Sequence, residues 1–558
     1  MKQADETFDF VIVGCGGGSM CAALVVKQAG LEPLILEKTD LFGGTTAKSG
    51  GIMWIPNNRF MKEAGVEDST EQAMIYMDAV VGDHNDTPGA SRERRLAYIE
   101  QAPRMVDFLV EQGIKLKRHH YWPDYYSDAP GAVESGRTVF AELFDGSVLG
   151  ENFDKLRPNF VPVPVKSEEA WDIGLFKTTW LGKWTIFKVG LRMMTAKLTG
   201  KKWLGSGAAI QGRMFHRSLE AGVDMRRNAG VEKLLTDESG RVCGVVARID
   251  GKERTIAARH GVLINAGGFA HNQEMRDKYQ PGTSAKWTAT NPGDTGEMIQ
   301  EMMRHGAAVA QMEEMVGNQA AFPPENPDGI ALTVSEIAKP NSLVVDQSGV
   351  RYLSENQSYM SFCQQMLERN KTVPAVPSWL VFDSEYMRKY LVTGTLPGSK
   401  KPDSWLGDGW LKKADTIEEL APQCGIEAAT LKATVERFNG FARAGKDEDF
   451  GRGSTAYHRF LGDKGNAPSP AMGPVEKGPF YAYQFYPGDV GTYGGVVTDT
   501  DARVLREDGS VIEGLYATGI STASVMGRAY PGAGASVGPS FVWGFVAANH
   551  AMAGAKGG

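Results

Sequence analysis

Phe8-Asp9-Phe10-Val11-Ile12-Val13-Gly14-Cys15-Gly16-Gly17-Gly18-Ser19 decides how this chain folds. The run up to Val13 is short, apolar and β-branched, and it stops at glycines. Ser19 to Gln28 then reads as a helix and Pro33 to Leu36 as the next strand, which makes a βαβ unit. A turn that brings backbone N–H groups close to a pyrophosphate needs small residues, and the helix N-terminus behind it adds partial positive charge. Ser19 stands where the dinucleotide fingerprint carries a third Gly or Ala, and it is still small. Glu37 ends the second strand about 20 residues downstream, where a carboxylate accepts hydrogen bonds from ribose hydroxyls. A glycine turn alone is a weak signal. The strand before it, the helix after it and the acid at that distance make it a nucleotide site. A plain structural turn would leave Glu37 unexplained.

The rest of the composition bounds the function. With 558 residues, 42% of them hydrophobic, the chain fits two domains or one domain with a large insertion. Its 67 glycines fall in short sets without a fixed period, which excludes collagen and repeat arrays. A net charge of −7 implies no general affinity for nucleic acid. Cys15, Cys21, Cys243, Cys363 and Cys424 show no CxxC spacing, so neither a disulfide framework nor a zinc site is expected, and a reducing cytoplasm is. No His/Asp/Glu cluster has metal-ligand spacing, so no metal is expected. The histidines, His119 and His120 included, read as surface residues. The N-terminus lacks the basic start and apolar run of a signal peptide.

Glu71 to Gln112 reads as helical, and Lys117 to Pro164 as long irregular loops of the kind that carry function. Trp171 to Trp203 interleaves aromatics with basic residues: Trp171, Trp180, Trp184 and Phe187 among Lys177, Lys183, Lys188 and Arg192. It has no apolar stretch of the ~20 residues that span a bilayer. A helix lying on a membrane surface and an amphipathic insertion packed on the protein both fit it. Val231 to Val246 and Gly261 to Ala266 read as strands. The expected fold is α/β. A Rossmann-like domain is built from residues 1–319, which carry the 171–203 insertion, and is completed by residues 491–558. An α+β catalytic domain, residues 320–490, is inserted between them.

Glu37-Lys38 and the run Gly43-Gly44-Thr45-Thr46-Ala47-Lys48-Ser49-Gly50-Gly51 resemble the flavin-contacting loop of the fumarate reductase/succinate dehydrogenase flavoprotein superfamily. Leu263 to Phe269 resembles its second glycine strand, and Gly514 to Gly519 its closing strand. The resemblance implies FAD rather than NAD. It implies a cofactor site of Gly14, Gly16, Gly17, Gly18, Ser19, Glu37, Lys38, Gly44, Thr45, Thr46, Ser49, Gly50, Gly51, Val231, Ala266, Gly267, Gly519, Ser536 and Val537.

Three further stretches resemble the 3-ketosteroid Δ1-dehydrogenase family: Trp122-Pro123-Asp124-Tyr125-Tyr126, Arg351 to Tyr359, and Ser524 to Gly534 with its Met526-Gly527 and Tyr530-Pro531-Gly532. The resemblance implies that the Tyr530 hydroxyl and the Gly534 N–H hold a steroid C3 carbonyl. Tyr359, as phenolate or near it, takes a proton from C2, Tyr125 supports it, and a hydride passes from C1 to flavin N5. The product is a 1,4-dien-3-one. A free phenol has a pKa near ~10 and needs such help near neutrality. Tyr126 competes with Tyr125 for its role and Tyr352 with Tyr359, while Tyr481, Tyr483, Tyr486 and Tyr493 are candidates for the pocket wall. The 171–203 insertion resembles the longer family members that act on steroids keeping a C17 side chain, such as cholest-4-en-3-one. The implied partners are a 3-ketosteroid and an external acceptor, a quinone or similar. The implied location is cytoplasmic or on the inner face of the membrane, as monomer or homodimer. Competing readings are a Δ4-(5α)-dehydrogenase, a fumarate reductase-like enzyme (although the His-Pro-Thr type motif is missing), and a flavin-bearing protein that only binds sterol or relays electrons.

Overall fold

The computed structural model describes residues 4–82, 87–159, 163–325 and 329–556. Its organising element is a six-stranded sheet in the order Arg503–Leu505, Val511–Ala517, Val262–Ile264, Phe10–Val13, Pro33–Leu36, Asp224–Arg226. All neighbours are parallel except the first pair. Phe10 to Val13 are fully or almost fully buried, as a central parallel strand with both faces covered must be. Four strand ends then meet at one edge: Val13 runs into Gly14, Leu36 into Glu37, Ile264 into Asn265, and Ala517 toward Gly519. Ligands of open parallel sheets bind outside that carboxyl edge.

The apolar run expected as one strand from Phe8 is divided. Glu6–Phe8 pairs with Lys252–Ala258 in a separate four-stranded sheet, and the central strand begins at Phe10. Asp9 lies at the crossing. Its carboxylate accepts the Glu32 N–H at 2.8 Å and pairs with Arg259 at 2.8 Å, so a charge sits at the boundary between two sheets.

A second sheet is antiparallel and lies wholly between Met315 and Thr492. Its order is Ala331–Leu332, Met315–Ala321, Phe480–Thr492, Ser378–Phe382, Ser342–Val345. The helix Tyr359–Arg369 presses on its second strand so closely that a Cβ at Gly317 would lie 2.5 Å from Cys363 Cβ. That contact places Tyr359, the first residue of the helix, beside the sheet.

The Lys117 to Pro164 region is more regular than expected. Thr138–Ala141, buried throughout, pairs with both Ile52–Trp54 and Leu116–Arg118, and a 3-10 segment covers Gly146–Lys155. The helical reading of Glu71 to Gln112 resolves into Thr70–Val81 and Arg92–Glu111. Residues 83–86 and 160–162, which those readings also covered, lie outside the described residues.

Trp171 to Trp203 forms the second half of one helix, Ser167–Gly174, and all of another, Trp180–Thr199. Thr179 caps the second, accepting the Gly182 N–H at 3.0 Å. Only Gly182, Thr185 and Val189 of this helix are buried, a narrow stripe along one side. Trp180 and Leu198 are each 80% exposed, and Trp184, Phe187, Leu191 and Met194 are exposed between them. Arg192 reaches back to Glu169 at 2.8 Å and ties the two helices together.

Candidate active site

A cavity of about 650 Å³ follows the carboxyl edge of the parallel sheet and continues to the antiparallel one. At its nucleotide end, Gly14 has φ +90°, and a Cβ there would lie 2.2 Å from the Asn265 carbonyl oxygen. Only glycine fits both constraints. Glu37 is buried. One of its oxygens accepts the Cys15 N–H at 3.1 Å, and the other accepts the Thr39 N–H at 2.9 Å and the Thr39 hydroxyl at 2.8 Å. Burial raises its pKa while these donors hold it down. Gly16, Lys38, Gly44, Thr45, Thr46, Ser49, Gly50, Gly51, Val231, Ala266, Gly267, Gly519, Ser536 and Val537 also line the cavity. Lys38 nevertheless spends its charge on Glu297 and donates to the Thr295 hydroxyl at 2.8 Å.

Gly17, Gly18 and Ser19 open the helix Gly17–Gln28 directly after Gly14, Cys15 and Gly16 of the cavity wall. A Cβ at Gly17 would strike the Phe541 ring at 2.1 Å, and one at Gly18 the Ser540 carbonyl oxygen at 2.1 Å. These glycines let the helix Gly17–Gln28 press against the C-terminal helix Val537–Lys556. The Ser19 hydroxyl accepts from the Asn265 amide at 2.9 Å. Their smallness serves helix packing behind the site.

Asp294 was not among the expected residues. It is buried in the wall and accepts from the Thr45 hydroxyl at 3.0 Å, and a Cβ at Gly267 would lie 2.2 Å from its carboxylate. Desolvation pushes its pKa up to about 7. The turn Asn291-Pro292-Gly293-Asp294 just ahead of the helix Glu297–Arg304 was the signal that could have found it.

Three separated segments build the other end. Tyr125 lies in a loop fixed by Asp124, which accepts from Trp54 Nε1 (2.8 Å), the Val133 N–H (3.0 Å) and Arg137 (2.8 Å). The Tyr125 N–H donates to the Pro531 carbonyl at 2.9 Å and so docks that loop on the Tyr530 turn. Ring centroids lie 5.5 Å apart for Tyr125 and Tyr359, 5.0 Å for Tyr359 and Tyr530, and 5.8 Å for Tyr125 and Tyr530. Gly534 has φ +87°, and a Cβ there would lie 2.2 Å from the Ile52 carbonyl oxygen. The sequence therefore places glycine where the backbone must run flush against the cavity wall.

The Tyr530 oxygen is the donor-rich point of this cluster. It lies 3.0 Å from the Ser536 hydroxyl, and hydrogen bonds from Ser536, Tyr359 and the Gly534 N–H oppose the rise that burial imposes on its pKa. Tyr359 keeps part of its ring open to the cavity, yet its hydroxyl is surrounded by protein. Burial first, then Tyr125 and Tyr530, raise its pKa well above the ordinary phenol value. That direction works against the phenolate expected of Tyr359. Tyr457 is a second residue that sequence reasoning missed. Its ring stacks on Tyr125 at 4.2 Å, and hydrogen bonding from Tyr359 and Tyr457 lowers the Tyr125 pKa against a larger desolvation rise.

The competing tyrosines are placed elsewhere. Tyr126 bonds Ser361 at 2.8 Å, and Tyr352 bonds Ser378 at 2.7 Å. None of Tyr481, Tyr483, Tyr486 and Tyr493 lines the cavity; Tyr493 packs behind Tyr530 at 6.2 Å. His119 is buried, against the surface reading. It packs edge-on against Trp122 at 5.1 Å, accepts the Tyr121 N–H at 3.1 Å, and has its pKa pushed down to about 4 by burial. Val163, Val165, Ala170, Trp171, Ile173, Leu332 and Leu391 give the wall a large apolar share, beside the polar Asn159 and Asn318. Among the described residues, no group of His, Cys, Asp and Glu is placed to hold a metal ion.

The donor set fits FAD. A Cβ-free turn at Gly14, a buried carboxylate at the ribose position and the N-terminus of the Val537–Lys556 helix all face one elongated cavity. The family model described as FAD binding domain matches residues 9–537. The chain is 38% identical to the 3-oxosteroid 1-dehydrogenase of Mycolicibacterium smegmatis, with 97% of each chain covered. It is 35% identical to the 4-oxocyclohexanecarboxylate 2-dehydrogenase of Sinomonas cyclohexanicum, covering 97% of this chain and 92% of that one. Among solved structures, it superposes with a TM-score of 0.93 and 36% identity on the 3-ketosteroid Δ1-dehydrogenase of Sterolibacterium denitrificans in complex with 1,4-androstadiene-3,17-dione, covering 98% of this chain and 100% of that one. The chain belongs to the FAD-binding flavoproteins and, within them, to the 3-oxosteroid 1-dehydrogenase family.

Proposed function

We propose that this protein is an FAD-dependent dehydrogenase that introduces the 1,2 double bond into 3-ketosteroids. The observation that carries the reading is the convergence of Tyr125, Tyr359 and Tyr530, from three separated segments, at the far end of a dinucleotide cavity. FAD, when bound, supplies the hydride acceptor for the hydrogen on C1. The Tyr530 hydroxyl and the Gly534 N–H hold the C3 carbonyl. Donors aimed at an oxygen that gains negative charge stabilise the transition state more than the ground state. That polarisation acidifies the C2 hydrogen, and Tyr359 removes it. Burial favours the phenol form of Tyr359, so its own proton must leave before it accepts one, and the hydroxyls of Tyr125 and Tyr457 offer the next stations. Glu37 and the Gly14 turn hold the nucleotide, and residues 320–490 contribute Tyr359, Tyr457 and the Leu332 and Leu391 part of the wall to the catalytic end.

The same chemistry on a small ring ketone bearing a carboxylate is the second reading, given the Sinomonas relative. The wall favours a hydrocarbon-rich ketone. Of the lysines in it, Lys38 is paired with Glu297 and Lys48 donates to the Thr290 carbonyl at 2.9 Å, while the far end is aliphatic and aromatic. Incubation with 4-androstene-3,17-dione and an artificial acceptor tests the reading: a 1,4-diene product is expected. Turnover of 4-oxocyclohexanecarboxylate alone would transfer the reading to the small ring. The reduced cofactor then needs an external acceptor of quinone type.

The exposed apolar face of the Trp180–Thr199 helix, ringed by Lys183, Lys188 and Lys197, fits the surface of an anionic bilayer. Among the described residues no helix is long and apolar enough to cross a membrane. Replacing Trp180 and Leu198 by Asp is expected to abolish co-sedimentation with anionic lipid vesicles; undiminished pelleting would contradict the reading.

A further inference from the structure

Glu336 is a buried carboxylate outside the tyrosine cluster and the nucleotide site, and nothing in the reaction uses it. It stands in the short helix Val334–Ile337, immediately after the strand Ala331–Leu332. Its two oxygens accept the backbone N–H groups of Thr393 (2.8 Å) and Gly394 (3.3 Å), and the Tyr483 hydroxyl donates to it at 3.4 Å. Thr393 and Gly394 both have positive φ, 42° and 79°, so this turn is strained at its non-glycine residue and needs an external anchor. Leu332, on one side of the anchor, and Leu391, on the other, both lie in the apolar cavity wall. Tyr386 joins the same two segments a second time, its hydroxyl lying 3.0 Å from the Glu336 carbonyl and 3.4 Å from that of Leu391. Behind them Leu175, from the turn into the basic helix, packs in one cluster with Ile337, Val392 and Trp405.

We propose that Glu336 is a positioning residue that fastens the Leu391 segment to the Leu332 segment, and thereby sets how well the apolar end of the cavity holds the tail of a C17-substituted steroid. This rests on the dehydrogenase reading above. Groups facing the carboxylate are Tyr483, Tyr386 and the half-buried Lys401, which itself donates to the Thr395 hydroxyl at 2.8 Å and the Leu396 carbonyl at 3.0 Å. Burial pushes the Glu336 pKa up to about 7, so the fastening changes its protonation within the working range. Ionisation strengthens its hold on two N–H groups, because a carboxylate accepts more strongly than a carboxylic acid.

The test compares kcat/KM for cholest-4-en-3-one with that for 4-androstene-3,17-dione, on flavin-loaded enzyme. Glu336→Gln presents an NH2 to one of the two N–H donors and is expected to lower the ratio about 10-fold, the size of effect that small changes in a hydrophobic pocket produce. The wild-type ratio is expected to rise from pH 6 to pH 8, and the variant's to stay flat. Leu391→Ala, which leaves the anchor intact, is expected to move the ratio in the same direction. An unchanged ratio in either folded variant, or a wild-type ratio that ignores pH, overturns the proposal. If Glu336→Gln fails to fold, Leu391→Ala and the wild-type pH series still decide it. Failure of wild type to oxidise any 3-ketosteroid would instead strike the dehydrogenase reading.

Discussion

The two ends of the cavity are made of different material. The nucleotide end is built from backbone: Gly14, Gly51 and Gly267 each occupy positions where an added Cβ would lie within 2.4 Å of another group, and two of those groups are peptide atoms. The reacting end is built from side chains of Tyr125, Tyr359, Tyr457 and Tyr530, all in contact through their rings. The first end is a matter of shape and fails by steric exclusion. The second is a matter of proton affinity and fails by losing one oxygen atom. Substitutions should therefore separate them cleanly.

The largest effect is expected at the backbone end. Gly14→Ala sets a methyl against the Asn265 carbonyl at a φ that L residues rarely adopt, a cost of about 2–4 kcal/mol concentrated in the cofactor turn. The purified variant is expected to carry no flavin and no activity. A yellow, active Gly14→Ala protein would dissolve the contrast.

Tyr457→Phe should behave in the opposite manner, keeping its flavin and its fold. Removing one hydroxyl from the phenol array is expected to lower kcat about 10-fold with little change in KM. In wild type, burial places Tyr359 above the usual phenol range, so kcat/KM should climb through alkaline pH without levelling below ~10. An early plateau would show that the phenols are not the proton acceptors.

The smallest effect sharpens the boundary between the two ends. Asp294 has its pKa raised from 3.8 to about 7, so the folded state binds a proton that the unfolded state has lost between those values. Stability falls as pH rises through that window. Asp294→Asn removes the loss. Thermal unfolding of the flavin-free protein is expected to show a smaller drop in Tm from pH 4 to pH 8 for the variant. An identical drop would mean that Asp294 is ionised throughout.

The same contrast explains what the sequence made legible. Gly14, Gly16 and Glu37 could be placed because strand, turn and helix are local, and a few consecutive residues state their own geometry. At Gly17 and Gly18 the glycine records only that space is scarce. Whether a pyrophosphate or the Phe541 ring takes the space is decided more than 500 residues away. Tyr125, Tyr359 and Tyr530 were found through motif resemblance, since no periodicity joins them. Tyr457 carries no motif and becomes visible only once the fold stacks it on Tyr125. His119 was misread because a histidine beside another polar residue looks exposed until Trp122 and Phe140 close over it. Asp294 and Glu336 are acids whose meaning is burial, and burial by distant segments is what a local reading misses.

The most direct test mixes 4-androstene-3,17-dione with the flavin-loaded protein under anaerobic conditions and follows the absorbance of the oxidised cofactor. Wild type is expected to bleach rapidly. Tyr530→Phe, which loses an oxyanion donor, is expected to bleach about 10²–10³-fold more slowly, and Tyr359→Phe more slowly by a similar or larger factor. Bleaching at the wild-type rate in both variants would contradict the account.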